Sequence, residues 1–129
     1  MSTAQIGETG VDEHFSLLLD YGDGRSASLH GAVRLELSNG VHIHGTEGVI
    51  HIPSFINSTQ AALQVYGQGE EIFCDDREAE GYAYEAEEVG RCLIEGLKES
   101  PVMKLKESLD IMRLLDQIRQ QWGLRYPFE

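Results

Sequence analysis

From His14 to Leu37 apolar and polar residues alternate with period two. Phe15, Leu17, Leu19 and Tyr21 fall on one face, and His14, Ser16, Leu18 and Asp20 on the other. After Gly22-Asp23-Gly24 the alternation resumes, with Ala27, Leu29, Val33 and Leu35 against Ser28, His30, Arg34 and Glu36. This is a β-hairpin with a glycine-rich turn. The register that keeps apolar opposite apolar pairs Leu19 with Ala27 and Leu17 with Leu29. Ser38-Asn39-Gly40 marks another turn, and a second hairpin follows from Val41 to Ile52 through Gly45-Thr46-Glu47-Gly48, ended by Pro53. In it Ile43 and Ile50 share one face, while His42, His44 and His51 share the other, with His42 opposite His51. Ala61 to Tyr66 and Glu70 to Cys74 read as two more short strands around Gly67-Gln68-Gly69.

The period then changes. Between Tyr82 and Lys98, Ala86, Val89, Leu93 and Leu97 recur at helical spacing, and Glu99-Ser100-Pro101 predicts the stop. A second helix is predicted from about Lys106 to Trp122, with an apolar stripe of Leu109, Met112, Leu115, Ile118 and Trp122 and Gly123 as its C-cap. Residues 1–10 are small and polar and read as a flexible lead-in or a severed end, and 11–129 as a single domain. The acidic stretch from Asp75 to Glu80 reads as a connection. Six strands followed by two helices is an α+β order. The expected architecture is a mainly antiparallel, open-faced sheet with two C-terminal helices packed on one face.

Charge narrows the partners. Acidic residues outnumber basic ones 22 to 10, for a net charge of −12. That argues against nucleic-acid and anionic-membrane binding, which need basic patches. Cys74 and Cys92 lack metal-type spacing and read as reduced thiols of a cytoplasmic protein. The N-terminal residues have no signal-peptide pattern, and no apolar run reaches the ~20 residues of a membrane span.

All five histidines, His14, His30, His42, His44 and His51, fall by parity on the face that lacks the aliphatic residues. With Arg34 they outline a mixed surface suited to pairing subunits, and a homo-oligomer through this open face is expected. Such an interface would loosen as imidazoles gain charge below about pH 6.5. No carboxylate or cysteine falls in register to complete a tetrahedral metal site, so none is assigned. The Gly-x-Gly pairs at 22–24 and 67–69 open no helix and read as turns rather than phosphate cradles. The serines lack a nucleophile-elbow setting, and no catalytic constellation is visible.

From Gly10 onward the chain resembles the C-terminal domain of the Gfo/Idh/MocA oxidoreductases, especially their dihydrodiol-dehydrogenase-type members. The resemblance rests on Gly10-Val11-Asp12-Glu13, on Gly45-Thr46-Glu47-Gly48 with Ile50 and Pro53, and on Tyr84-Glu85-x-Glu87-x-Val89. It continues through Cys92-Leu93-x-x-Gly96, Glu99-Ser100-Pro101-Val102, Glu107-Ser108, Ile118-Arg119 and Gly123-Leu124-x-Tyr126-Pro127. It implies a two-domain enzyme whose Rossmann half binds NAD or NADP and supplies a Glu-Lys-Pro lysine. Neither feature is in this sequence, so no catalytic or cofactor-binding role passes to any residue here. It further implies that the segment before the first helix borders the substrate, which makes Tyr82 and Tyr84 the substrate-side candidates. The expected function is the substrate-side and oligomerising part of such a dehydrogenase, inactive by itself. The alternative is a stand-alone dimerisation or ligand-binding module of the same fold.

Overall fold

The structure, a computed structural model, describes residues 1–76 and 81–126. Its order is β1 (Ser2–Ile6), β2 (Asp12–Gly22), β3 (Arg25–Ala32), β4 (Val41–His44), β5 (Gly48–Ile52), β6 (Gln60–Val65), β7 (Glu70–Cys74), α1 (Ala83–Ile94) and α2 (Leu105–Trp122). The α+β class, the antiparallel pairing and the C-terminal placement of both helices agree with the sequence reading. The strands divide into two sheets, of order β1-β2-β3 and β4-β5-β6-β7. Two compact units result, one gathering residues 1–37 with α2 and the other residues 38–97 with α1.

In the first unit the predicted register of β2 and β3 is observed, with Leu17 opposite Leu29 and Leu19 opposite Ala27. The turn is made by Gly22, Asp23 and Gly24, all at positive φ (74°, 50° and 83°), where glycine costs least. The Asp20 side chain accepts the Gly22 amide at 2.8 Å. Residues 2–6, expected as lead-in, instead form the edge strand β1, with Ala4 opposite Phe15 and Ser2 opposite Leu17. Ser2 and Ala4 therefore extend the aliphatic face of β2. That face receives the end of α2: the Phe15 and Trp122 rings stack at 5.8 Å, and Trp122 Nε1–H donates to Ser2 Oγ at 3.0 Å. Ser2 Oγ in turn donates to Gln121 Oε1 at 2.6 Å. Ile118 and Leu124 are buried beside this joint.

Strand β3 was expected to run to Leu37 but ends at Ala32. The Val33 amide still bonds Glu13 O at 3.0 Å, and beyond it only Asp12 of β2 remains, which pairs with Ile6 of β1. Arg34 thus lies past the sheet rather than on its face.

Both helices end on left-handed glycines. In α1 the stop comes at Gly96 (φ 67°), earlier than Pro101, and Leu97 N–H closes the turn on Cys92 O at 2.8 Å. In α2 it is the predicted Gly123 (φ 66°), with Leu124 N–H on Arg119 O at 3.1 Å. Gly123→Ala should cost about 1 kcal/mol in urea denaturation, because an L side chain resists this conformation. The α2 start is tied by Glu99, whose carboxylate accepts the Leu105 amide at 2.9 Å. Ion pairs line the exposed helix surfaces. Glu88 and then Glu95 hold Arg91 further above its ordinary value. The hydrogen bond from Lys106, seconded by Arg113, holds Asp110 below the usual carboxylate range. That contribution is present at neutral pH and lost as pH falls through the lowered value, and its solvent exposure keeps it small.

Candidate functional site

The histidines predicted to share a face are distributed over both sheets. In the second unit the tight turn between β4 and β5 closes with Gly45 N–H on Gly48 O at 2.8 Å. It sets the predicted pairing of Ile43 with Ile50 and of His42 with His51. The His42 and His51 rings stack at 4.2 Å, tilted by 9°, and His44 lies along the strand with its ring 6.1 Å from His42. Val49 is opposite His44, and Ala62 of β6 is opposite His51. Three imidazoles therefore share one small area of a sheet, flanked by apolar side chains. The other face carries Val41, Ile43, Ile50, Ile52, Leu63 and Phe73 by parity.

His14 and His30 lie on the polar face of the first sheet. His30 Nδ1 is 3.0 Å from Ser16 Oγ, its cross-strand partner in the observed register. His14 lines a shallow surface hollow with Gln5, Glu13, Arg34 and Leu35. Arg34 donates to Glu13 there at 3.3 Å. The sequence reading does not anticipate this pair, because it places Arg34 on the face of a longer strand and assigns Glu13 no role of its own.

Tyr82 caps the start of α1, where its carbonyl accepts the Ala86 amide at 3.1 Å, and the residue is 82% exposed. Tyr84 occupies the first turn of the same helix and is partly exposed. The connection before them falls partly on residues 77–80, outside the described residues. Among the described residues no group of three or more histidine, cysteine or acidic side chains could hold a metal ion. Gly22, Gly24 and Gly67 sit at positive φ in turns between strands, so neither Gly-x-Gly pair opens a helix.

Three curated relatives set these features in context. The trans-1,2-dihydrobenzene-1,2-diol dehydrogenase of Xenopus laevis is 38% identical over 95% of this chain. Those of Sus scrofa and Homo sapiens are 35% and 30% identical over 93% of it. This chain is homologous to a C-terminal part of the dihydrodiol dehydrogenases. It spans only 39% of the length of the Xenopus laevis protein and 38% of the human one. No family model matches the chain.

For a chain homologous to dihydrodiol dehydrogenases, the motifs quoted above fall on ordered features. Gly45 to Gly48 make the β4–β5 turn, Tyr84 to Val89 open α1, and Gly123-Leu124 cap α2. The final residue of the last motif, Pro127, is outside the described residues. Among the described residues no helix is long and apolar enough to cross a membrane.

Proposed function

We propose that this chain is the substrate-side and subunit-pairing part of an NAD(P)-dependent dehydrogenase of the Gfo/Idh/MocA type, acting on a dihydrodiol or related polyol. The observation that carries this reading is the match over 95% of the chain to 39% of a dihydrodiol dehydrogenase. Nicotinamide binding and hydride transfer belong, on this reading, to a Rossmann half outside this sequence. The glycine geometry supports the division: a phosphate cradle needs glycines that open a helix, whereas these close β-turns. Tyr82 and Tyr84 are the residues proposed to border the substrate. A cytoplasmic setting belongs to the same reading.

Support for pairing comes from the aliphatic side of the β4–β7 sheet. Ile43 is 53%, Ile50 38% and Phe73 50% exposed there. Covering apolar surface yields about 25 cal/mol per Å². A specific interface needs about 800 Å² per partner, and a second copy of this face is the proposed cover.

Two measurements test the reading. Titration of the chain with NADH, followed by nucleotide fluorescence, should show no binding at micromolar concentrations. Sedimentation equilibrium should give twice the 14.4 kDa chain mass. Ile43→Glu should return it to the monomer mass. Micromolar NADH binding would overturn the division of labour, and a persistent monomer at tens of micromolar would overturn the pairing.

A further inference from the structure

We infer that Gln5, Glu13, His14 and Arg34 form a binding site for a small hydroxycarboxylic acid, with the ligand carboxylate on the Arg34 guanidinium and its hydroxyl on the Glu13 carboxylate. The inference is independent of the dehydrogenase reading and rests on the geometry around the start of β2.

Three backbone features build the place. β1 and β2 lose register between Gln5 and Ile6, just after Gln5 has paired with His14, and bulges of this kind re-aim side chains at sheet edges. The chain then turns back, with Gly10 N–H on Gly7 O at 3.0 Å and Gly7 N–H on Val11 O at 2.8 Å. A Cβ at Gly7 would collide with the Glu13 carboxyl, so glycine leaves the room in which this side chain lies. Finally, the bond from the Val33 amide to Glu13 O carries the chain past the end of β3 and brings in Arg34. The result is a hollow of about 260 Å³ walled by Gln5, Glu13, His14, Arg34 and Leu35, with room for a molecule of a few carbons.

Its two charges are held unequally. The side chain of Glu13 is only 18% exposed, whereas that of Arg34 is 73% exposed. Both bonds between them leave from Arg34 Nη1, at 3.3 and 3.4 Å, longer than the roughly 2.7–2.9 Å of a strong charge-assisted pair. Glu13 thus holds the guanidinium loosely, by one nitrogen. The Nε–Nη2 edge of the fork bonds no protein group among the described residues, and such an edge matches a carboxylate with two parallel hydrogen bonds. Each Glu13 oxygen has a further lone pair that can accept a hydroxyl hydrogen. Beside that carboxylate a purely anionic ligand is repelled, while one that also donates a hydroxyl is held, which selects a hydroxy acid over a plain acid. The Gln5 amide and the His14 ring complete the polar wall, and Leu35 offers an apolar one.

The test follows the amide chemical shifts of the full chain by nuclear magnetic resonance during titration with sodium D-glycerate at constant ionic strength. Propionate, which lacks the hydroxyls, and glycerol, which lacks the carboxylate, are the matched three-carbon probes. Glycerate should saturate in the millimolar range, as a small ligand does in an open site, and should shift the amides of Gln5, Glu13, His14 and Arg34. Propionate and glycerol should each bind about tenfold more weakly, the worth of one charge-assisted hydrogen bond. Arg34→Gln should abolish glycerate binding without disturbing the fold, which far-UV circular dichroism checks. Gly7 is not at positive φ, so Gly7→Ala leaves the backbone in place and displaces the Glu13 side chain. It should bring glycerate down to the affinity of propionate. His30→Gln, opposite Ser16 on β3, should change nothing. Failure to approach saturation by about 100 mM glycerate overturns the inference. So does equal affinity for glycerate and propionate, or glycerate binding that survives Arg34→Gln.

Discussion

Replacing Trp122 with alanine is expected to lower stability by about 3 kcal/mol, the largest effect of any single substitution in the first unit. Large-to-small changes at aromatic core positions cost 3–5 kcal/mol, and the partial exposure of Trp122 sets the value at the low end. Three contacts are lost together. The stack on Phe15 disappears, Ser2 Oγ loses its indole donor, and the apolar face shared by β1 and β2 is uncovered. Urea denaturation followed by far-UV circular dichroism measures the change. Trp122→Phe separates the terms, because it keeps a ring over Phe15 and loses the N–H. It should cost about 1 kcal/mol, the usual net worth of a hydrogen bond. A loss below 1 kcal/mol in Trp122→Ala would show that α2 does not anchor this sheet. Because Ser2 is the acceptor, Trp122→Ala should also speed amide exchange in β1, more than in β3.

Gly48→Ala is expected to cost about 3 kcal/mol in the second unit and to open the β5–β6 pairing. A Cβ at Gly48 would collide with the Gln64 carbonyl oxygen and come within 3.1 Å of Val65 Cα. Both are backbone atoms of the partner strand, so no side-chain rotation relieves the clash, and overpacking of this kind costs 1–3 kcal/mol or more. Gly31 offers the contrast. There an added Cβ meets the edge of the Phe15 ring, a side chain with some freedom to move. Gly31→Ala should therefore be the milder change. Hydrogen exchange would localise the Gly48→Ala effect to the β5 and β6 amides and to Tyr66 N–H, which bonds Glu47 O at 2.9 Å. Unchanged protection there would rule out the close approach as the reason for glycine.

Much of the fold is legible in residue order because strand parity leaves little choice. Sliding β3 by one residue against β2 would put Ser28 opposite Leu17 and turn Leu29 to the polar face, so the hairpin register follows from the apolar pattern. The same reasoning places His42 opposite His51 without reference to any fold. Glycine at the helix ends is legible for Gly123, whose left-handed cap was predicted, and less so for Gly96, where Pro101 is the more conspicuous signal.

Other features are not local. Ser2-Thr3-Ala4-Gln5-Ile6 carries no alternation strong enough to mark a strand; its extended state comes from hydrogen bonds to the edge of β2 and from Trp122. Conversely, Val33 to Leu37 alternates well and yet is not strand, because β2 begins at Asp12 and gives Leu35 to Leu37 nothing to pair with. Arg34 and Glu13 meet only as a result of that ending. The candidate site shows the same division. Parity alone aligns His42, His44 and His51, whereas their ring separations depend on the turn and twist of one hairpin.

The sequence by itself determined the α+β order, the two hairpin registers and the sharing of a face by three histidines, since each depends on neighbours a few residues away. Only the tertiary structure decided that the strands divide into two sheets, that residues 2–6 join the first, and that Trp122 of α2 closes over Phe15. Those outcomes depend on which distant backbone edge or apolar face is free to be satisfied, and no local pattern encodes that.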